Sequence, residues 1–387
     1  MSNSARLLVL TSDSLSGLVR KGEVTQRYHN PGDLFSEVHL ITPEFSSDDL
    51  DRAAPMFGSA RFHVHVLPTP RFVRTAGWRS SLIRPWLTRG VEIAAAVRPE
   101  VVRTHNNFLE GRLALEIKRQ LGVPYVVSLH GVWDRDNLNT VKDRAISLAR
   151  RRFERDSLSN ADAVVAVYSP ILRYARQLGA RDPVLIYNAV SADIAAKTSY
   201  DLSEPPRILT VNRQVHDKNP EPILRAVAAL DASYTLVGDG PLHPHLESLV
   251  RELGLEGRVE LVRHMPNRDL CALLPTVDIV ASHCTYLGIS KTLIEGGLAG
   301  LPMIINDPPA SSIEEYRGDW IDFCDGSEKG YREAIQHLLA DHGARSRLGA
   351  AALAVARSRF DPTTMEAKLE KVYTDVLARR TSGRPDE

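Results

Sequence analysis

The sequence predicts an α/β protein built from two parallel-sheet domains. Three observations lead there. Apolar, β-branched runs alternate with segments of helical periodicity through the first half, the pattern of a parallel sheet covered on both faces. A polar, proline-containing stretch then interrupts the pattern, and a second βα series starts afresh at Arg207. Finally, 387 residues exceed one ordinary core and suit two.

In order, the strands expected in the first half are Arg6–Thr11, Glu37–Ile41, Arg61–Val66, Val101–Thr104, Tyr125–Leu129, Ala163–Val167 and Pro183–Tyr187. Helices are expected at Val91–Val97, Glu110–Gln120, Asp143–Ser157 and Ile171–Leu178. In such sheets the carboxyl ends of the strands form a common rim, where ligands bind. Ser199–Pro206 reads as the linker, because two adjacent prolines hold the backbone extended. The second series has strands at Arg207–Val211, Ser233–Val237, Val259–Val262, Ile279–Ser282 and Pro302–Ile305, each followed by a helix. The expected division is therefore 1–198, 199–360 and a terminal helix with a frayed tail, 361–387. That helix opens on Asp361-Pro362, a good cap and first-turn pair. Its face of Met365, Leu369, Val372, Tyr373, Val376 and Leu377 needs an apolar partner, which the first domain can supply.

Composition narrows the function. Hydrophobic residues make up 43% and charged residues 25%, ordinary for a globular chain. Lys+Arg and Asp+Glu both total 48, so no bulk field draws nucleic acid, and none is expected as a partner. Cys271, Cys284 and Cys324 have neither zinc-ligand spacing nor an even count, and read as thiols in a reducing compartment. The N-terminus runs directly into a strand without a signal-like apolar stretch, and no run is long enough to span a bilayer. A cytoplasmic protein, at most peripheral to the inner membrane face, is expected.

The densest chemistry lies in the second half. Ile208–Arg213 is a strand ending in a cation, and Lys218 follows in a polar loop before a helix with the apolar face Ile223, Leu224, Val227 and Leu230. Two cations at a strand's carboxyl end suit a diphosphate; the residues alone equally allow two solvated surface charges. Gly238-Asp239-Gly240-Pro241 is a turn after an apolar strand. Gly288, Ile289 and Ser290 form a permissive loop ahead of a helix beginning Lys291-Thr292, whose first-turn amides and positive dipole end favour phosphate. Glu295 falls inside that helix, where a carboxylate could accept bonds from a ribose diol or simply be solvated.

These pieces, in this order, resemble the family 4 retaining glycosyltransferases of the GT-B fold (glycosyl transferases group 1). The resemblance covers most of the chain and includes Ser128-Leu-His130-Gly131, Ile186-Tyr-Asn188-Ala-Val190 and the closing Arg359-Phe-Asp-Pro…Val372-Tyr373. It implies two Rossmann-like domains facing a central cleft that holds a sugar-nucleotide, with the last helix returning to the first domain. It further implies that Arg213 and Lys218 contact the donor diphosphate and Glu295 the ribose. Amides across Gly288, Ile289, Ser290, Lys291 and Thr292 would receive the sugar and distal phosphate. His130 would stand beside the donor sugar, Gly22 in the loop that approaches donor and acceptor, and Asn188 in a structural place. No metal and no cofactor beyond the UDP- or GDP-linked donor are expected. The acceptor would be a hydroxyl of a saccharide, a lipid-linked saccharide or a small metabolite.

The chain departs from the family pattern at Leu287, where a glutamate is usual, at Asn212, where a glycine is usual, and at the spaced Gly17 and Gly22. Leu287 keeps an alternative open: a catalytically weakened, nucleotide-sugar-binding partner or regulatory subunit. Thr11–Gly17 contains no close G-x-G-x-x-G element, which argues against a dinucleotide oxidoreductase. Asp134-Arg135-Asp136 has the spacing of a metal–nucleotide pair, but Asp49-Leu50-Asp51 has it too. In 68–89, Arg71, Arg74, Arg79, Arg84 and Arg89 interleave with Phe72, Trp78 and Trp86. That stretch fits either a surface meeting anionic lipid heads or a solvated segment whose aromatics pack inward.

Overall fold

The structure, a computed structural model, describes residues 5–70, 83–131, 141–188, 190–191, 193–285, 288–307 and 313–382. β1 (Arg6–Leu10) opens the first sheet, with Leu7, Leu8, Val9 and Leu10 all buried, so both of its faces are covered. There follow α1 (Leu15–Arg20), β2 (Glu37–Thr42), α2 (Leu50–Ala53), β3 (Arg61–Val66), α3 (Arg84–Val97), β4 (Val101–His105) and α4 (Leu109–Leu121). Then come β5 (Tyr125–Leu129), α5 (Val141–Asn160), β6 (Ala163–Ala166), α6 (Ser169–Gln177) and β7 (Val184–Leu185). The strands pair in parallel in the order β3-β2-β1-β4-β5-β6-β7.

The second sheet is made by β8 (Arg207–Val211), α7 (Glu221–Ala228), β9 (Ser233–Val237), α8 (His243–Glu252), β10 (Val259–Val262), α9 (Asn267–Leu273) and β11 (Ile279–Ser282). It continues with α10 (Lys291–Leu298), β12 (Met303–Asn306), β13 (Asp322–Cys324), α11 (Glu328–Ala340) and α12 (His342–Arg359). Its parallel order is β10-β9-β8-β11-β12-β13. In both sheets the chain reverses its direction of travel beside the first strand, between β1 and β4 and between β8 and β11. That switch point is where a crevice opens at the carboxyl ends. β13 was not anticipated; it is three half-buried residues, too short for a clear periodic signal.

The last helix, α13 (Pro362–Ser382), belongs with the first sheet. Met365, Val372, Tyr373 and Val376 are buried in that core, and the Tyr373 ring meets Phe35 edge-on at 5.1 Å. Burying each such side chain stabilises by roughly 1.5–3 kcal/mol. Glu366 ties the helix down by accepting from Arg27 Nη2 at 2.9 Å and from Gly32 N at 2.8 Å.

One unit comprises Met1–Arg20, Val24–Ala189 and Thr364–Glu387, the other Lys21–Glu23 and Val190–Thr363. The stretch Ser199–Pro206, expected as the linker, thus lies inside the second unit. The cause is Asp278, which is 2% exposed. Its carboxylate accepts from Ser203 N at 3.1 Å and Arg207 N at 2.9 Å, and lies 3.4 Å from Lys197 Nζ. Tyr200 adds a hydroxyl donated to Gly300 O at 3.0 Å.

Among the described residues no helix is long and apolar enough to cross a membrane. Of the arginine- and tryptophan-bearing stretch, 71–82 lie outside the described residues. Arg89, on α3, is paired with Glu92 at 3.0 Å. Asp134-Arg135-Asp136 and Leu287 also lie outside the described residues.

Candidate functional site

In the second unit the site grows from the end of β8. Asn212 continues the strand edge, its N–H donating to Val237 O at 3.0 Å. The turn Gly238–Gly240 presses on the same backbone. A Cβ on Gly238 would meet Asn212 O at 2.0 Å, and one on Gly240 would meet Gln214 O at 2.3 Å. Only glycine permits that approach. Gln214 locks the two loops together, donating from Nε2 to Gly238 O at 2.6 Å, while its Oε1 lies 2.7 Å from His243 Nδ1. Arg213, between these anchored residues, is exposed.

Lys218 is half-buried in the next turn, where Asp217 O accepts from Thr285 N at 2.9 Å and so ties the turn to the loop after β11. Burial lowers the Lys218 pKa from the usual lysine range. Cys284 opposes that, the Arg213 guanidinium adds to it, and Glu23 again opposes it. The two cations therefore feel each other, and an anion between them would relieve the repulsion.

α10 comes next along the same rim. Thr292 Oγ1 donates to Val211 O at 3.2 Å, fixing the start of α10 against the end of β8. Ser290 is its N-cap residue, with extended backbone and no side-chain cap bond, and Lys291 begins the helix. Leu293 N already donates to Ser290 O at 3.1 Å, and the positive end of the helix still favours an anion at its start. Ile289 is buried, and Gly288 O accepts from Tyr316 Oη at 3.2 Å. Ser290 N differs from expectation, because it already donates to Tyr316 Oη at 3.3 Å. The helix ends at Leu298, and Gly300 just beyond it takes φ +68, the left-handed conformation that commonly closes a helix.

Glu295 is 2% exposed, so it is no solvated helix glutamate. Its Oε1 accepts from Asn267 Nδ2 at 2.9 Å. Burial pushes its carboxyl above the usual range, opposed first by Lys291 and then by Asn267. A buried carboxylate with one neutral donor gains from further donors. Asn267 also draws Gly22 in: Asn267 N donates to Gly22 O at 3.2 Å, and Gly22 has φ +70. A Cβ there would meet Pro266 Cα at 2.6 Å. Arg213, Lys218, the Gly288–Thr292 loop, Glu295 and Gly22 thus share one unit, with Asn267 the connector that sequence reasoning missed.

His130 is in the first unit, directly after β5. Its Nδ1 lies 3.1 Å from Asn188 Oδ1, and its Nε2 lies 3.2 Å from His105 Nδ1 at the end of β4. With Asn188 Oδ1 accepting, His130 carries its proton on Nδ1 and presents Nε2 as an acceptor. Asn188, expected only as structure, sets that tautomer. His105 is buried, and its ring stacks on Tyr28 at 5.2 Å and on His130 at 5.2 Å. Burial holds the His105 pKa well below the usual range, followed by Arg103, His130 and His29. His29 is held at about 3 by burial and then by Arg103. Neither His105, His29 nor Tyr28 was singled out from the sequence; each looks ordinary until the sheet aligns the ends of β4 and β5.

A groove of about 470 Å³ opens elsewhere, at the amino ends of β6 and β7. Its cations Lys118, Arg181 and Arg379 are matched by Asp162, Asp182 and Asp375, so it holds no charge surplus for an anion.

Comparison with known proteins identifies the family and the fold. Residues 27–189 match the model of the glycosyl transferase 4-like domain, and residues 195–354 match that of glycosyl transferases group 1. The chain is 28% identical over 233 residues to the lipopolysaccharide core biosynthesis glycosyltransferase LpsD of Rhizobium meliloti, covering 58% of this chain and 66% of that one. It is 24% identical over 280 residues to the alpha-D-kanosaminyltransferase of Streptomyces kanamyceticus, covering 67% and 72%. These matches therefore span roughly two thirds of the relatives' lengths. Anabaena HepE, solved in complex with UDP, superposes with a TM-score of 0.71 at 16% identity, over 96% of this chain and 100% of that one. Two parallel-sheet units of Rossmann-like type, the GT-B arrangement, and two family models that between them take in most of its length assign the chain to the glycosyl transferases group 1 family.

Proposed function

We propose that the protein transfers a sugar from a UDP- or GDP-sugar to a hydroxyl of a saccharide, lipid-linked saccharide or small metabolite, with retention and without a catalytic metal. The observation that carries this reading is the gathering of Arg213, Lys218, the start of α10 and buried Glu295 at the carboxyl rim of one sheet. Breaking the sugar–phosphate bond builds negative charge on the departing nucleotide. Fixed cations and helix amides stabilise it without reorganising. In this reading Arg213 and Lys218 take the diphosphate, Glu295 the ribose, and His130, held by Asn188 and His105, stands on the sugar side. Retention is carried by the family resemblance. The UDP named with HepE, and the saccharide chemistry named with LpsD, support the donor and acceptor classes. Leu287, where the family commonly has a glutamate, favours a second reading, a subunit that binds nucleotide without transferring sugar.

The test is a thermal-shift panel of UDP, GDP, ADP, their common sugar conjugates and NAD, repeated on Arg213→Ala. Stabilisation by one nucleoside diphosphate, weakened about 10- to 150-fold in the variant, is expected. Stabilisation by NAD alone, or by none of the panel, rejects the proposal. Binding without turnover on any acceptor moves the assignment to the second reading, and loss of turnover in EDTA rejects metal independence.

A further inference from the structure

The edge of the first sheet carries a cluster that the transfer reaction does not use. β2 and β3 pair with His39 opposite His63, and side chains two apart on a strand share a face. Glu37 and His39 therefore stand beside His63 and His65 on one side of the sheet. Glu37 Oε1 lies 3.0 Å from His63 Nε2 and 3.4 Å from His39 Nε2. One ligand-type atom from each of Glu37, His39 and His63 falls within 4.8 Å of the others.

From these positions we propose that Glu37, His39 and His63 form a zinc(II) site, with His65 orienting His39. Zinc bound tetrahedrally at about 2.0–2.2 Å to nitrogen and oxygen separates its ligand atoms by about 3.3–3.5 Å. Two of the three spacings, 3.0 and 3.4 Å, lie about the lower end of that range, and the rings turn, chiefly that of exposed His63, to close on the ion. Two imidazoles and one carboxylate suit zinc far better than magnesium or calcium. The neighbouring residue completes the case. His39 Nδ1 is 2.9 Å from His65 Nε2. A ligating histidine commonly donates its second ring N–H in this way, which leaves the other nitrogen unprotonated for the metal. His39 is 8% exposed and its ring stacks on that of His63 with centroids 4.7 Å apart, so the two imidazoles are held close and turn out of the stack to converge on the ion. His63 faces solvent and gives the ion its entry, and a fourth position stays open to water. Zinc held here would staple edge strand β3 to β2.

The test uses the full chain stripped with EDTA and dialysed. Zinc is titrated by calorimetry, and cobalt(II) is read by its visible absorption. One equivalent is expected, with tetrahedral cobalt bands and a zinc-dependent rise in Tm. His65→Ala weakens binding by roughly 10- to 100-fold, the usual effect of removing a residue that orients a ligand. His63→Ala, which removes a ligand from an exposed position and leaves the fold intact, weakens it further. His245→Ala, an exposed histidine in the second unit, leaves zinc affinity unchanged. Equal zinc affinity in wild type and His63→Ala, or no saturable binding by the wild type, overturns the proposal.

Discussion

Glu295→Gln separates stability from ligand binding at the candidate site. The glutamate is 2% exposed, and Asn267 Nδ2 donates to its Oε1 at 2.9 Å. Glutamine keeps the volume and an acceptor for Asn267, but removes a charge that burial disfavours. The carboxyl is raised in the folded state, chiefly by burial. Its contribution to stability is therefore full below the unfolded value and is lost as pH rises through the folded one. At neutral pH the glutamate is a liability, so the ligand-free variant should melt at the same temperature or higher. That advantage should shrink as pH falls toward the ordinary carboxylate range. Nucleotide binding should move the other way. A hydrogen bond to a charged acceptor contributes about 1.5–3 kcal/mol, so replacing the carboxylate should weaken the nucleoside diphosphate by roughly 10- to 150-fold. Differential scanning fluorimetry across pH, with calorimetric titration of the nucleotide, reads both effects. A lower melting temperature with unchanged nucleotide affinity refutes the reasoning, since Glu295 would then be a structural residue.

Two further outcomes follow from buried ionisable groups. Asp278→Ala strands Lys197, whose side chain is 9% exposed, and removes the acceptor of two backbone amides, so about 3–5 kcal/mol should be lost in urea unfolding. His29 is buried and held at about 3, so its contribution is full above the unfolded value and falls away as pH drops. From about pH 5.5 to about pH 4.5 the stability of wild type relative to His29→Phe should decline by close to 1.4 kcal/mol. A flat difference would mean that the ring is protonated in the native state.

Much of the fold was legible because the parallel strands are continuous apolar runs. Arg61–Val66 and Ser233–Val237 match their expected bounds, and Glu37–Thr42 differs by one residue. What escaped notice was short or mixed. α1 (Leu15–Arg20) sits in a serine- and glycine-containing loop, and the first half of α3 mixes arginine, tryptophan and proline, which masks its period. The phosphate-side candidates were visible because strand end, loop and helix start are each contiguous in sequence. Asn267 and Glu295 are 28 positions apart, and His130 and Asn188 are 58 apart. No local pattern announces such pairs; only the closure of a sheet brings their residues together. The hold of Asp278 on Arg207 N was hidden for the same reason, since the prolines near Pro206 predict extension but not that contact.

The placement of α13 has a consequence for how the chain is made. Synthesis runs from the amino end, so residues 190–361 all leave the ribosome before Met365, Val372, Tyr373 and Val376 do. The unit that begins first therefore lacks one wall of its interior until the other has been fully translated. Through that interval Phe35 has no Tyr373 ring to meet, and the later unit, nearly continuous in sequence, is first to have its whole core available.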